Sequence, residues 1–339
     1  MYQSVLIVAK YYIQEIKYTT MENIKFKKLE KGYILVNYNT FQRLNPIVFD
    51  DISDFYNGIA SVRLRGKGWN FINKQGELLW KGDKWFSYDN YFTDGFVSVK
   101  IEGKGWNLID ATGELVWKGG KWFDYVYQFS EGFARVEIKG KGWNFINKQG
   151  ELLWKGDEWF DKVYYFTNGI ARVEIKGKGW NFIDTNGELV YKGDKCFNEV
   201  EDFTEGFARV FKKDIGWNFI DTNGELVYKG DKWFDCCRRF CEGFAKVYKK
   251  DRGWNYINTN GELVWKGDIW FDYIGDFYEG FARVKLEGLG WNWIDTNGEL
   301  LWKEKKWFDD VYNFREGYTR VKLEGKEYKL NTNGELIKN

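Results

Sequence analysis

Between Phe133 and Lys139 the chain alternates, with Ala134, Val136 and Ile138 on one side and Phe133, Arg135, Glu137 and Lys139 on the other. A period of two is the pattern of a strand with one buried face. Gly140-Lys141-Gly142 follows. Its first position holds Gly66, Gly103, Gly177, Gly288 and Gly325 in comparable stretches but Asp214 and Asp251 in two others, a choice that fits a hairpin residue at positive φ. Trp143 to Ile146 reads as a second strand. Asn147-Lys148-Gln149-Gly150, elsewhere Asp184-Thr185-Asn186-Gly187, places Asx first and Gly fourth, which is type I turn chemistry. A third short strand is expected over Glu151 to Trp154 and a fourth over the aromatic segment Trp159 to Phe166. Nothing from residue 58 to 339 sustains an apolar period of 3.6, so no helix is expected there; Tyr2 to Thr20 permits either state.

The pattern recurs. Gly-Trp-Asn appears at Trp69, Trp106, Trp143, Trp180, Trp217, Trp254 and Trp291, always 37 residues apart. A further copy carries Tyr328 in the Trp position, and a much weaker one surrounds Gly32-Tyr33. The chain therefore parses as an N-terminal extension (1–21), a divergent repeat (22–57), seven 37-residue repeats (58–316) and a capping repeat (317–339). One meander cannot bury its aromatic face alone, so copies must stack and share a core. The expected fold is all-β, with tandem antiparallel meander repeats in an open superhelical, solenoid-like array; a β-propeller is the alternative. About nine units is an awkward number for a ring, and Glu335 to Lys338 gives the last unit its own final strand. For an open array, deleting Tyr318 to Asn339 is expected to cause aggregation, whereas deleting one interior period leaves a soluble protein.

Composition narrows the function classes. Aromatic residues make up 20% of the chain, Gly numbers 38 and Pro one, which favours strands and tight turns. Lys plus Arg number 51 against 50 Asp plus Glu, with the signs interleaved, so no footprint for nucleic acid or an anionic membrane is visible. Histidine is absent, and Cys236-Cys237-Arg238-Arg239-Phe240-Cys241 is not a zinc-ligand spacing. Cys196 stands where other copies carry Trp, and the four cysteines read as inert free thiols in a reducing compartment. The apolar run Ser4 to Ala9 lacks a preceding basic residue and is too short to span a membrane, so a cytoplasmic location is favoured.

The unit Phe129-Ser130-Glu131-Gly132-Phe133-Ala134-Arg135-Val136, followed by Gly140-Lys141-Gly142-Trp143, Phe145-Ile146-Asn147 and Gly150, resembles the bacterial WG (KWG) repeat. The resemblance runs from about residue 46 onward, and the chain departs from it by reading Gly-Trp-Asn where that family usually reads Trp-Gly. It implies a β-rich bacterial or phage repeat protein and offers no catalytic residues. A weaker likeness, carried by Ile109-Asp110-Ala111-Thr112-Gly113-Glu114-Leu115-Val116-Trp117, is to the docking motif of quinoprotein-type propeller repeats.

Candidate chemistry is sparse, because almost every polar residue is one of seven or eight copies at a single offset. No histidine exists to act as base, no cysteine stands beside a catalytic partner, and no catalytic residue, metal or cofactor is expected. Asp110, Asp184, Asp221 and Asp295 read as turn caps rather than calcium ligands, since other copies carry Asn73, Asn147, Asn258 and Asn331. Glu77, Glu114, Glu151, Glu188, Glu225, Glu262, Glu299 and Glu335 read as exposed strand starts facing residues of the Lys81 type. Asn70, Asn107, Asn144, Asn181, Asn218, Asn255 and Asn292 read either as buried amides satisfying backbone or as groups that contact a ligand.

The aromatic surplus is the best functional hint. The candidate ligand-binding row is Trp85, Trp122, Trp159, Trp233, Trp270 and Trp307, whose rings suit sugars or a protein surface if exposed. Trp159 is expected to be partly exposed and Trp143 to lie in the core. The leading function is a non-catalytic scaffold for a protein or glycan, as a monomer; the alternative is a structural component that stacks end to end, and a propeller enzyme ranks third.

Overall fold

Ala134 and Val136 pair with Ile146 and Asn144 in an antiparallel ladder that joins Phe133–Ile138 to Gly142–Asn147. The loop between them turns on Gly140 at φ 83, and Asp214 takes the equivalent conformation at φ 68. On the other side of Phe133–Ile138 runs a two-residue strand, Tyr125–Val126. It enters through Glu131-Gly132, at φ 48 and 85, the left-handed pair of a type I′ hairpin. This three-stranded meander is the repeating element.

The computed structural model describes residues 23–88, 90–193 and 196–337; the N-terminal extension and the segment Tyr2 to Thr20 lie outside them. The described residues are all-β, without a helix, and none of their sheets closes into a barrel. They form two compact units, divided between Phe160 and Asp161. In the first, the sheets are Ile24–Leu29 with Gly32–Asn37 and Gln42–Arg43, then Asp51–Ile52 with Ile59–Leu64 and Gly68–Asn73. Phe96–Ile101 with Gly105–Asp110 follows, and then the meander just described. In the second, four sheets of the same order lead to one of four strands, Asp310–Val311, Tyr318–Leu323, Lys326–Asn331 and Leu336–Ile337.

Two expected strands resolve differently. Glu151 to Trp154 makes a single bridge, Leu152 to Ile146, and then leaves the ladder. The cause is Asn144, whose Nδ2 donates to Trp154 O at 3.0 Å while its Oδ1 accepts from Trp154 N at 3.1 Å and Phe145 N at 2.7 Å. The side-chain amide thus stands in for a strand's peptide group, and every group of this fully buried residue that makes these bonds is satisfied. The aromatic segment is broken as well. In the first unit Phe123 bridges back to Trp106, then Tyr125–Val126 pairs forward with Val136 and Glu137. The same split recurs at Phe271, which bridges Trp254, and at Tyr273, which pairs with Lys285.

That segment tethers consecutive copies, and their cores are shared. Leu108, Val116 and Phe123 from one copy pack on Ala134, Val136, Ile146 and Trp159 of the next. In the second unit Phe219 projects forward onto Ala245, Val247 and Ile257, while its neighbour Ile220 projects back onto Phe182 and Phe197. The second long strand is therefore buried on both faces. Backbone also meets backbone: a Cβ at Gly150, φ 84, would stand 2.0 Å from Val116 O of the preceding copy. Only glycine fits there.

The hairpin turns are linked too. Glu205 accepts from the backbone N–H groups of Glu242 and Gly243, at 3.2 and 3.3 Å, and Glu279 accepts from those of Glu316 and Gly317, at 2.7 and 2.9 Å. One copy's carboxylate thus completes the next copy's turn.

Candidate functional site

Three clefts open along the repeats, two of them at the same position. One, of about 820 Å³, lies between Ser53, Tyr56, Ser61 and Trp69 of one copy and Asn90, Tyr91 and Thr93 of the next. A second, of about 560 Å³, lies between Arg238, Arg239, Lys246, Trp254 and Tyr256 and the following Tyr273, Asp276 and Tyr278. The third, of about 510 Å³, is lined by Arg283 and by Tyr312, Arg315, Tyr318 and Arg320. The first two open where the segment after the two-residue strand faces its counterpart one copy away, and the third is lined by one such segment.

The residues of that segment are the least repeated in the chain. The position at Tyr164 and its counterparts reads Ser53, Asn90, Tyr127, Tyr164, Glu201, Arg238, Gly275 and Tyr312; the next reads Asp54, Tyr91, Gln128, Tyr165, Asp202, Arg239, Asp276 and Asn313. Around them Phe, Gly, Ala, Val, Trp and Asn recur almost unchanged. Many of the exposed rings lie here, among them Tyr56, Tyr91, Tyr127, Tyr164, Tyr165, Tyr278 and Tyr312. The half-buried Trp69 and Trp254 of the Gly-Trp-Asn steps form cleft walls.

The basic residues of the adjoining strand are used as clamps. Arg172 Nε lies 2.7 Å from Asp202 Oδ1, and Arg172 Nη1 donates to Val200 O of the next copy at 3.3 Å. Arg283 repeats the second contact on Val311 O, and Lys246 Nζ lies 2.7 Å from Asp276 Oδ1. Arg209 donates to Cys237 O at 2.6 Å and shares Glu201 with Arg239, whose Nε is 3.0 Å from Oε2. Hydrogen bonding from Arg209, aided by Arg239, holds the Glu201 carboxyl below its ordinary range.

The tryptophan row singled out from the sequence is not in these clefts. Trp85, Trp122, Trp159, Trp233, Trp270 and Trp307 are buried, from 3% exposed at Trp270 to 9% at Trp233, and they fill the shared cores. The expected order of Trp143 and Trp159 is reversed: Trp143 is half-buried against Tyr127, its ring 5.8 Å away, whereas Trp159 is 4% exposed. Each ring at the Trp159 position is enclosed by two copies at once, which the pattern within one copy does not reveal. The signal that marks the clefts was available in the sequence as variation between copies.

The other candidates have structural partners. All seven Asn amides are buried and bonded as at Asn144. Asp110 Oδ1 accepts from Thr112 N, Thr112 Oγ1 and Glu114 N inside its own turn, and these bonds hold its carboxyl low against the opposing effect of burial. The Glu row divides by turn type. Where the turn opens with Asn, its Nδ2 donates to Glu77, Glu151, Glu262 or Glu335. Where it opens with Asp184, Asp221 or Asp295, Glu188, Glu225 and Glu299 pair instead with Lys192, Lys229 and Lys303. The cysteines are free thiols; burial pushes Cys237 up to about 12, and burial with nearby carboxylates raises Cys241. Among the described residues no group of three or more Cys, Asp or Glu could hold a metal.

No curated protein matches the chain in sequence. Solved structures similar to it include the computationally designed Ika8 protein, at 15% identity and TM-score 0.29 over 82% of this chain and 92% of that one. BamB from Moraxella catarrhalis is similar at 10% identity and TM-score 0.28, over 93% and 95%. The WD40 β-propeller domain of Doa1 is similar at 12% identity and TM-score 0.24, over 80% and 88%. At these scores the likenesses carry no argument about function. The profile of the WG containing repeat matches residues 46–67, 123–141, 160–178, 180–214, 254–289 and 308–326, four of which hold a Glu-Gly turn. The chain is thus an all-β tandem-repeat protein that carries matches to the WG containing repeat at six positions.

Proposed function

We propose that the chain is a non-catalytic interaction scaffold whose ligand-contacting surfaces are the clefts between consecutive copies. The observation that carries this reading is the coincidence of variation with concavity: the positions that differ most between copies line the clefts, while the repeated positions build cores, turns and clamps. Exposed tyrosines beside mixed charges supply rigid amphipathic contact area at low entropic cost. The clamps commit most of the basic row to neighbouring copies, which argues against a continuous phosphate-binding track. The partner is a protein or a glycan. Parallel peptide and glycan arrays test the proposal: a ligand should be captured, and Tyr56→Ala with Tyr91→Ala, or Tyr273→Ala with Tyr278→Ala, should abolish capture at unchanged melting temperature. Capture that survives both pairs of substitutions would remove the clefts from the reading.

A further inference from the structure

The 560 Å³ cleft shares an apolar floor with the 820 Å³ cleft and differs from it at the rim. Its floor, formed by Phe244, Tyr256, Ile274 and Phe277, is aromatic and apolar, and the one hydroxyl there, on Tyr256, is committed to Gly275 O at 2.7 Å. Gly275 stands where Tyr127, Tyr164 and Tyr312 stand in other copies. A Cβ at that position would come no closer than 3.5 Å to its surroundings. At the rim are Arg238 and Arg239, both exposed, the one copy with two arginines at these positions. Arg239 is held by Glu201 and Lys246 by Asp276, whereas Arg238 makes no ion pair among the described residues. With Glu242, the lining holds three cations against two carboxylates.

We propose that this cleft, taken as a ligand site as above, binds an acidic peptide segment: an apolar or aromatic side chain enters the floor while an adjacent carboxylate meets Arg238. A planar guanidinium suits a carboxylate through two parallel hydrogen bonds. The floor decides between peptide and sugar. It offers no uncommitted polar side chain to a buried hydroxyl, so a sugar ring would lose hydrogen bonds to water without replacement, whereas a hydrocarbon side chain loses none.

Fluorescence anisotropy on the full chain, with the fluorescein-labelled peptide Asp-Glu-Phe-Glu-Asp-Gly as probe, tests this. The same peptide with lysines for its acidic residues, the same with serine for phenylalanine, and a glucuronate-containing oligosaccharide serve as competitors. The acidic phenylalanine peptide should bind and the competitors should not displace it. Arg238→Glu should weaken binding about tenfold or more, the loss of one charge-assisted contact. Because Arg238 is exposed, its substitution leaves the folded structure intact, and an unchanged melting temperature checks this. Binding that is indifferent to peptide charge, unaltered in Arg238→Glu, or replaced by the oligosaccharide overturns the proposal. Absence of peptide binding, alongside an array ligand lost in Tyr56→Ala with Tyr91→Ala, overturns it while leaving the scaffold reading intact; no ligand by either route removes both.

Discussion

At the scale of single residues, two copies depart from the common pattern in compensating pairs. Trp80, Trp117, Trp154, Trp265 and Trp302 are each followed 21 positions later by Ile or Leu, but Tyr191 and Tyr228 are followed by Lys212 and Lys249. The smaller ring leaves room for the longer side chain: Lys212 Nζ donates to Tyr191 OH at 2.9 Å and lies 4.8 to 5.7 Å from the ring centres of Tyr191, Phe197 and Trp233. Tyr191→Trp and Lys212→Ile should each destabilise alone and compensate together, with a coupling of about 1 kcal/mol in a double-mutant cycle followed by urea denaturation. Additive losses would mean that the pair is coincidental. The Trp rows give a second test. Trp159→Ala should cost about 3–5 kcal/mol, as large-to-small changes in a packed core do, and Trp143→Ala about 1–2 kcal/mol, because part of its ring already meets water. Chemical denaturation of both variants ranks them.

At the scale of the element, glycine placement separates turn geometry from close approach. Gly140 has φ 83 but open space where a Cβ would go, whereas at Gly142, φ 110, a Cβ would stand 2.5 Å from Phe160 O. Gly140→Ala should therefore cost about 1 kcal/mol of backbone strain, and Gly142→Ala more than about 2 kcal/mol, since the bridge from Trp143 to Phe160 must also open. Similar melting temperatures for the two would refute the distinction. The long hairpin was legible because Phe133 to Lys139 alternates and glycine marks its loop. The third strand was not, because the break at Trp154 is imposed by an amide ten residues earlier that looks like any polar strand residue. Nor was the face that lines the clefts. Exposure of Trp143 and burial of Trp159 are set by the neighbouring copies, and a reading confined to one period sees only two aromatic residues.

At the scale of the whole molecule, the contacts between copies repeat with the sequence period, so each copy interior to a unit meets the same kind of neighbour on either side. Excising Phe207 to Gly243 joins Gly206 to Phe244 in register, and Glu205 then faces the Glu279-Gly280 turn in place of the Glu242-Gly243 turn. The shortened protein should stay soluble and unfold cooperatively, its melting temperature lower by about 2–8 °C, whereas excising about half that length should abolish the transition in circular dichroism. The carboxylate link between turns bears on how the chain acquires this order. Glu205 and Glu279 lie 37 residues ahead of the turns they complete. A ribosome delivers residues from the N-terminus, so each acceptor emerges before the N–H groups that need it, and each new hairpin meets a surface already in place. Closing loops of a few tens of residues costs little entropy compared with pairing distant strands, so these repeats should order one after another during synthesis and, for a protein made of strands, rapidly.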